Sequence, residues 1–268
     1  MGRRTSVLLA VFALISFPRP SFAQSATVAN AAVRTLLSWL DDAEVIEPGG
    51  AEISLGVSRA STSAGHESDA PALFAAAGIA PRVQLAASAM HYSLSFSDGF
   101  TSSGRGDTSV IGKIAVVSPR EHPGGIAISP LVEILSDISV DTRGAGTGRV
   151  AWGLPVSFQY TWTKVQVLAT TGYFSRGSVF ADAGVQAWVA QHAIGTLSVL
   201  HSHATTTTTL TDQYGLSLDR TDVTAGLDYL IKPNVTIFGT VGRTIGTLDA
   251  TGLSSFFSLG VSVRVSAR

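Results

Sequence analysis

Ionisable side chains recur at alternating positions in segments that are otherwise apolar or rich in hydroxyl groups. Neighbouring side chains of a β-strand point to opposite faces, so each of these charges would share a face with Ser, Thr, Gly or Gln. An Arg or Lys side chain that faced lipid at the middle of the bilayer would destabilise a membrane barrel by about 2–4 kcal/mol. In a membrane barrel these charges would therefore line the lumen, either pairing with one another or forming a polar path for solutes. The candidate lumen-lining residues are Glu52, Arg82, Asp107, Lys113, Glu133, Lys164, Asp182, Asp222, Asp228 and Arg264.

Catalytic and metal-binding chemistry is poorly supported by the remaining candidates. A serine hydrolase needs a nucleophile, a general base and an orienting group held together, but the chain has no Gly-x-Ser-x-Gly motif. His201 and His203 share one face of a predicted strand, yet no carboxylate or cysteine lies beside them in the sequence. We interpret both as polar rim residues and expect no catalytic residue, no metal site and no cofactor.

Two glycine-containing motifs are better explained as parts of a barrel. Arg105-Gly106-Asp107 has the composition of an adhesive tripeptide, but Gly106 and Asp107 begin a predicted strand. The run Arg143–Gly148 would bind phosphate only between a strand and a helix, and no such unit surrounds it. We interpret this run as an external loop.

The chain begins with the pattern of an exported protein. Arg3 and Arg4 precede a short apolar run, and Ser21-Phe22-Ala23 suits cleavage before Gln24. We therefore assign residues 1–23 to a signal peptide. There is no cysteine, which excludes both a lipid anchor and a disulfide framework.

The composition favours a membrane barrel over a soluble domain. Charged residues make up 14% of the chain, against roughly 25% in soluble domains. After the signal peptide, no apolar stretch reaches the ~18 residues of a spanning helix. The formal net charge of −1 gives no electrostatic reason to expect nucleic acid as a partner.

Short segments with period-two alternation recur about a dozen times along the chain. In one of them Val156, Phe158 and Tyr160 alternate with hydroxyl and amide side chains. This repetition predicts a closed, all-β antiparallel transmembrane barrel of about twelve strands over residues 50–268. Pro130 interrupts the fifth strand and predicts a bulge, since proline removes a ladder donor. The predicted strands are 50–60, 70–77, 82–92, 106–117, 125–136, 155–163, 165–174, 178–190, 194–204, 222–231, 235–244 and 257–265.

The connections alternate between tight turns and longer polar loops, as in outer-membrane barrels with short periplasmic turns. Residues 24–49 are predicted to be a periplasmic lead-in with loosely helical spacing. The predicted long loops are 61–69, 93–105, 137–147, 205–220 and 246–253.

Aromatic residues and the last strand fit the same interpretation. Tyr160, Trp162 and Tyr229 fall at periplasmic strand ends and Tyr173 near the opposite rim, as aromatic girdles require. The segment Ser258–Val265 resembles the terminal signal read by the barrel assembly machinery, although the chain lacks a terminal aromatic residue.

Four short glycine-containing or turn motifs occur along the predicted strands: Gly106-Asp107-Thr108, Gly172–Ser178, Ala225–Tyr229 and Lys232-Pro233-Asn234. They resemble motifs of a family of bacterial outer-membrane barrels associated with meta-pathway phenol degradation. Together with the strand spacing, the resemblance covers residues 50–268. It implies an outer-membrane location and a transport channel, and it supplies no catalytic residues.

Two functions remain open at this point. The first is a passive channel or uptake barrel for small solutes, and the second is a structural or adhesive barrel with a closed lumen. In either case the expected location is the cell outer membrane. The expected partners are outer-membrane lipid, the assembly machinery and, for a channel, small solutes.

The mature protein should begin at Gln24. Mass-spectrometric reading of the N-terminus of protein recovered from the outer membrane checks this expectation. Retention of Met1–Ala23 would contradict the assignment of a signal peptide.

Overall fold

The computed structural model describes residues 39–62, 65–136, 148–175, 177–205, 219–247 and 255–266. Within these ranges every regular element is a β-strand. That part of the chain has no helix long and apolar enough to cross a membrane. The strands are β1 (Ala51–Thr62), β2 (Gly65–Ala80), β3 (Val83–Phe96), β4 (Thr101–Val117), β5 (Gly124–Ile128), β6 (Leu131–Ile134), β7 (Val150–Thr161), β8 (Val165–Phe174), β9 (Ser178–Ala190), β10 (Ala193–Ala204), β11 (Asp219–Lys232), β12 (Val235–Thr247) and β13 (Ser255–Val265).

The sheet closes on itself through its first and last strands. β1 pairs antiparallel with β13 from Ala51 opposite Val265 to Ser61 opposite Ser255. All the other neighbours are antiparallel and consecutive in the chain, with β5 and β6 together forming one position between β4 and β7. The prediction of a closed twelve-strand barrel is confirmed.

The bulge predicted in the fifth strand at Pro130 is absent, because the pairing register with both neighbouring strands is continuous across the proline. The two halves meet at Ser129-Pro130, where Gly112 N donates to the Pro130 carbonyl at 2.9 Å. Ser129 N donates to the Pro155 carbonyl, also at 2.9 Å. Because both neighbouring strands bond across the break, the wall stays continuous there.

The two faces of the wall differ as the alternation predicted. On β1, Glu52 is 4% exposed while its neighbour Ile53 is 61% exposed. On β11, Thr224 is buried and Leu227 is half exposed. Exposed Val, Leu, Ile and Phe side chains recur on the outward face of almost every strand, so the barrel carries an apolar belt.

Two of the predicted long loops are wrong. β1 extends to Thr62 and β2 begins at Gly65, so most of 61–69 is strand, and only residues 97–100 of the predicted loop 93–105 connect β3 to β4. These strand ends are rich in Ser, Thr and charged residues on both faces. Without an apolar face the period-two signal disappears, although backbone pairing continues.

The two ends of the barrel differ in their connections. The short-turn end carries the turns at residues 81–82, 118–123, 162–164, 191–192 and 233–234. The opposite end is called here the loop end. The predicted loop 137–147 and most of 205–220 and 246–253 lie outside the described residues, as do residues 1–23, the predicted signal peptide.

The assigned faces can be tested with two adjacent residues of β11. Leu227→Arg would place a charge in the apolar belt and should lower the free energy of unfolding by about 2–4 kcal/mol near mid-membrane. The matched control is Asp228→Arg, since Asp228 faces the interior. Urea unfolding of refolded protein, followed by heat-modifiable gel migration, measures both variants. A larger loss for Asp228→Arg would contradict the assigned faces.

Candidate channel lumen and its N-terminal plug

A segment before the first strand lies inside the barrel. We call residues 39–49 the plug segment. Leu40, Ala43, Val45 and Ile46 are each at most 8% exposed, although none belongs to a strand. The prediction that residues 24–49 form a periplasmic lead-in is therefore wrong for 39–46, which lie in the lumen and form no helix, whereas 47–49 are exposed at the short-turn end. Residues 24–38 lie outside the described residues.

Side chains of the wall hold the backbone of the plug segment. Trp39 N donates to Asp182 Oδ2 at 3.0 Å, and Asp41 N donates to Thr170 Oγ1 at 3.0 Å. Ala43 N donates to Gln159 Oε1 at 2.9 Å, and Ile46 N to Gln84 Oε1 at 2.9 Å. These bonds satisfy backbone donors that would otherwise be buried without partners.

The order of these contacts gives the path of the plug segment. Asp182 lies near the loop end of β9, whereas Gln159 and Gln84 lie near the short-turn ends of β7 and β3. The chain therefore runs through the lumen from its loop half to its short-turn end, and then enters β1.

One lysine of the wall pairs with two carboxylates of the plug segment. Lys113 Nζ lies 3.0 Å from Asp41 Oδ1 and 2.8 Å from Asp42 Oδ1. The side chains of Lys113 and Asp42 are 6% and 9% exposed. The desolvation of a buried ammonium is offset here by two charged acceptors.

The plug segment is anchored where it leaves the lumen. Gly49 N donates to the Gly78 carbonyl and Gly78 N to the Gly50 carbonyl, both at 3.0 Å. A Cβ at Gly78 would lie 2.2 Å from the carbonyl oxygens of Ile46 and Glu47, so only glycine fits this crossing. Glu47 Oε1 also accepts a bond of 2.7 Å from Arg120 Nη1.

The loop half of the lumen is filled by apolar packing. The ring of Trp39 lies 4.6 Å from that of Phe174 and 5.5 Å from that of Phe180, centroid to centroid. Leu40 occupies space left by Gly184, where a Cβ would lie 2.6 Å from Leu40 Cδ2. A closed antiparallel wall with an apolar exterior and a filled interior is the architecture of the proteins that span outer membranes.

This is the fold of outer-membrane channel barrels. The "COG4313 outer membrane channel" from Pseudomonas putida F1 is similar, with a TM-score of 0.57 and 11% identity over 84% of this chain and 98% of that one. The "NanC porin" is similar with a TM-score of 0.56 and 12% identity over 80% of this chain and 100% of that one. No family model and no curated protein matches the sequence.

Most of the predicted lumen-lining charges lie on inward-facing positions. The residues at such positions are Glu52, Asp107, Lys113, Glu133, Asp182, Asp222, Asp228 and Arg264. Arg82 and Lys164 do not, because both lie in hairpin turns at the short-turn end. Arg82 is exposed there and pairs with Glu121 at 2.7 Å. The predicted strand 82–92 begins one residue too early at Arg82, and Lys164 was assigned an inward position although it lies in the predicted turn before β8.

Several inward carboxylates have partners on the wall itself. Glu52 Oε1 accepts a bond of 3.0 Å from Ser262 Oγ. Asp222 accepts bonds from Thr244 Oγ1 at 2.6 Å and from Arg220 at 2.8 Å. Asp107 Oδ1 accepts the Ser136 backbone N–H at 2.7 Å. Local hydrogen bonds thus satisfy these interior carboxylates one by one, and Arg220 also neutralises the charge of Asp222.

A cavity remains between the plug segment and the wall near the short-turn end. Its empty volume, including the part open to solvent, is about 600 Å³. Asp42, Glu44, Glu52, Lys113 and Arg264 form its polar side. Phe74, Ile46 and Ile111 are part of its apolar side, so the cavity is amphipathic.

Glu44 is the carboxyl group of the plug segment with the most perturbed environment. Burial raises its pKa to about 7, and the Asp42 carboxylate acts in the same direction. Arg120, Arg264 and Lys113 oppose the shift. Its Oε2 atom is buried and has no hydrogen-bond partner in the described part of the structure.

The two histidines of β10 face outward. His201 Nδ1 lies 3.0 Å from Thr221 Oγ1, and His203 pairs with Asp219 on β11. Asp219 is a carboxylate beside His203 that inspection of neighbouring sequence missed, because it comes from the next strand. Within the described ranges no three such groups come together as metal ligands.

Loss of the Lys113 charge should release the plug segment. Lys113→Met leaves Asp41 and Asp42 without their counter-charge, and removing one partner of a buried pair costs about 3–5 kcal/mol. Hydrogen exchange should accelerate in residues 39–47 and stay unchanged in β7–β13. Lys232→Met, at an exposed position, is the matched control. Equal exchange in the two variants would mean that the ion pair does not hold the plug segment.

Proposed function

We propose that the protein is a passive outer-membrane channel for small solutes whose lumen is occluded by the plug segment. The single observation that carries this proposal is how the plug segment is attached. The strands are joined by continuous backbone ladders, whereas the plug segment is held largely by side-chain acceptors and one ion-pair cluster. It can therefore move while the wall remains intact.

The proposed location is the outer membrane, with the short-turn end in the periplasm. The N-terminal pattern of residues 1–23 supports export, and the apolar belt supports insertion in a bilayer. The resemblance to known channels in fold is consistent with both. We assign the protein no catalytic role.

The proposed lining favours cations. With Arg82 and Lys164 placed in turns, the inward acids Glu52, Asp107, Glu133, Asp182, Asp222 and Asp228 outnumber the inward bases Lys113, Arg220 and Arg264. Asp41, Asp42 and Glu44 of the plug segment add further carboxyl groups. Excess carboxylates in a pore raise the local concentration of cations, and added salt screens this effect.

Asp228 offers a direct test of selectivity, because it has no ion-pair partner in the described part of the chain. In planar bilayers the wild-type channel should show a reversal potential that indicates cation preference in a salt gradient. Asp228→Asn should move that potential toward zero. Glu121→Gln, in an exposed turn, is the control. Anion preference of the wild type would reject this account of the lining.

A disulfide can test occlusion directly, since the chain has no cysteine of its own. A Cβ built at Gly125 would lie 2.8 Å from Ala43 Cβ. A disulfide needs about 3.5–4.5 Å between its Cβ atoms, so a shift of the plug segment by about 1 Å would admit the bond. Ala43→Cys combined with Gly125→Cys should lock the plug segment to the wall. Solute-driven swelling of proteoliposomes should stop when this variant is oxidised and return after reduction. The two single variants should not respond to redox conditions.

The results also separate the channel from a closed structural barrel. A barrel that supports neither conductance nor swelling, locked or reduced, would defeat the channel proposal. Swelling that persists with the disulfide formed would keep the channel and reject occlusion by the plug segment.

Small aromatic compounds are the proposed solutes. The sequence resemblance to barrels associated with meta-pathway phenol degradation supports this class, as does the apolar side of the cavity at Phe74, Ile46 and Ile111. Swelling with phenol or catechol should exceed swelling with a sugar of similar size. Equal rates for the two classes would leave the aromatic assignment without support.

A further inference from the structure

The outward face carries a group of basic residues near the loop end. We call these residues the basic arc. They lie on strands that are neighbours around the barrel, from β4 through β1 to β10. All of them are exposed, and on each strand the outward residues become apolar toward the short-turn end. The members are Arg59, His91, Arg105, His201, His203 and Arg243.

The pairing register places the basic arc at one level. Residues that pair directly on successive strands form a row of outward side chains around the barrel. This row starts at Arg59 and descends to Tyr160 at the short-turn end. Its members between these two are Phe257, Val241, Ala225, Leu197, Val185 and Val167. With strands tilted by about 40°, each step to the next strand changes the height by about 3 Å, and each residue along a strand by about 2.5 Å.

Applied to individual residues, this geometry places the three arginines and the three histidines at similar heights around the barrel. Val241 is two steps below Arg59, and Arg243 is two residues nearer the loop end than Val241, so the two arginines lie at nearly equal height. In the opposite direction around the barrel, from β1 to β2 and β3, the row rises from Arg59 through Ser68 to Ser93. His91 is two residues nearer the short-turn end than Ser93. Arg105 lies opposite His91. The six side chains fall within about 5 Å of one level.

The aromatic residues on the far side of the barrel identify that level. Trp152 and Tyr173 are exposed on β7 and β8, with ring centroids 5.7 Å apart. The same geometry places them at the height of Arg59. Trp and Tyr concentrate at the boundary between hydrocarbon and headgroups, so the basic arc lies at the depth of the headgroups.

The arginines of the basic arc lack acidic partners in the described part of the chain. Arg59 and Arg243 make no ion pair there, and Arg105 donates only to the Thr108 hydroxyl. The carboxylate on this face that does pair is Asp219, with His203. The interior acids face the lumen, on the opposite side of the wall from the basic arc, and do not pair with its arginines. A cationic surface without internal neutralisation suits an anionic partner.

We infer that the basic arc binds the phosphate groups of a phosphorylated glycolipid in the outer leaflet. The planar guanidinium of arginine matches phosphate oxygens in a two-pronged geometry. Exposed apolar residues directly below the basic arc, such as Val57 and Val241, are placed to contact the acyl chains of the same lipid. This inference rests on the proposed outer-membrane location but not on conduction.

The test uses the refolded full-length chain in detergent micelles and measures lipid binding by native mass spectrometry. The probes are bis-phosphorylated lipid A, its dephosphorylated form and inorganic phosphate. Wild type should bind the phosphorylated lipid more tightly than the dephosphorylated form, and inorganic phosphate at equal concentration should not compete. Arg59→Gln with Arg243→Gln should weaken binding by about tenfold, as expected for the loss of one or two charge-assisted hydrogen bonds.

Two controls keep the outcome interpretable. Lys164→Gln with Lys232→Gln removes the same charge from the short-turn end and should leave binding unchanged. Arg59→Lys with Arg243→Lys should retain part of the affinity, and heat-modifiable migration verifies that each variant folds. Equal binding of phosphorylated and dephosphorylated lipid would overturn the inference, as would equal loss in the lysine control or full competition by inorganic phosphate. A barrel that binds the lipid but never conducts would reject the channel and leave the basic arc intact.

Discussion

Closure of the sheet is the constraint on which the rest of this structure depends. Inside a bilayer no water is present to bond a free strand edge, so β1 and β13 must pair along their whole length. Pairing also has to survive the proline in the fifth strand position, and both neighbouring strands bond across it. Once the wall is closed, one face of every strand meets lipid and the other encloses a lumen. The apolar belt and the polar interior are two results of that single requirement.

A closed wall leaves an interior that needs filling or hydration. Here the plug segment fills much of it, with apolar packing around Trp39 in the loop half and an ion-pair cluster at Lys113 further down. The attachment uses side chains of the wall as acceptors for backbone donors. The plug segment has fewer such hydrogen bonds than a strand has in its β-ladders. The plug segment can therefore be less stable than the wall.

The charges of the two faces are organised for different surroundings. Interior carboxylates such as Glu52 and Asp222 each have a local hydrogen-bond partner, as expected where an unsatisfied charge is costly. The outward arginines at the loop end have no acidic partner within the described ranges, and they lie at the level of the exposed aromatic residues Trp152 and Tyr173. The cost of desolvation thus explains why charges in the lumen have partners within the protein. Charges at the rim are exposed to the lipid headgroups and do not need such partners.

The sequence by itself determined the fold class, the face of most strands and the inward position of most charges, because a period of two is a local property of the chain. It misjudged strand ends beyond the apolar belt, where both faces are polar, and it gave inward positions to Arg82 and Lys164, which lie in turns. It did not reveal the plug segment, since Trp39, Asp41 and Asp42 meet Phe174 and Lys113 only after the barrel has closed around them. The common level of Arg59, His91 and Arg243 was also decided by tertiary structure alone, because register and strand tilt set the height of residues that are far apart in the chain.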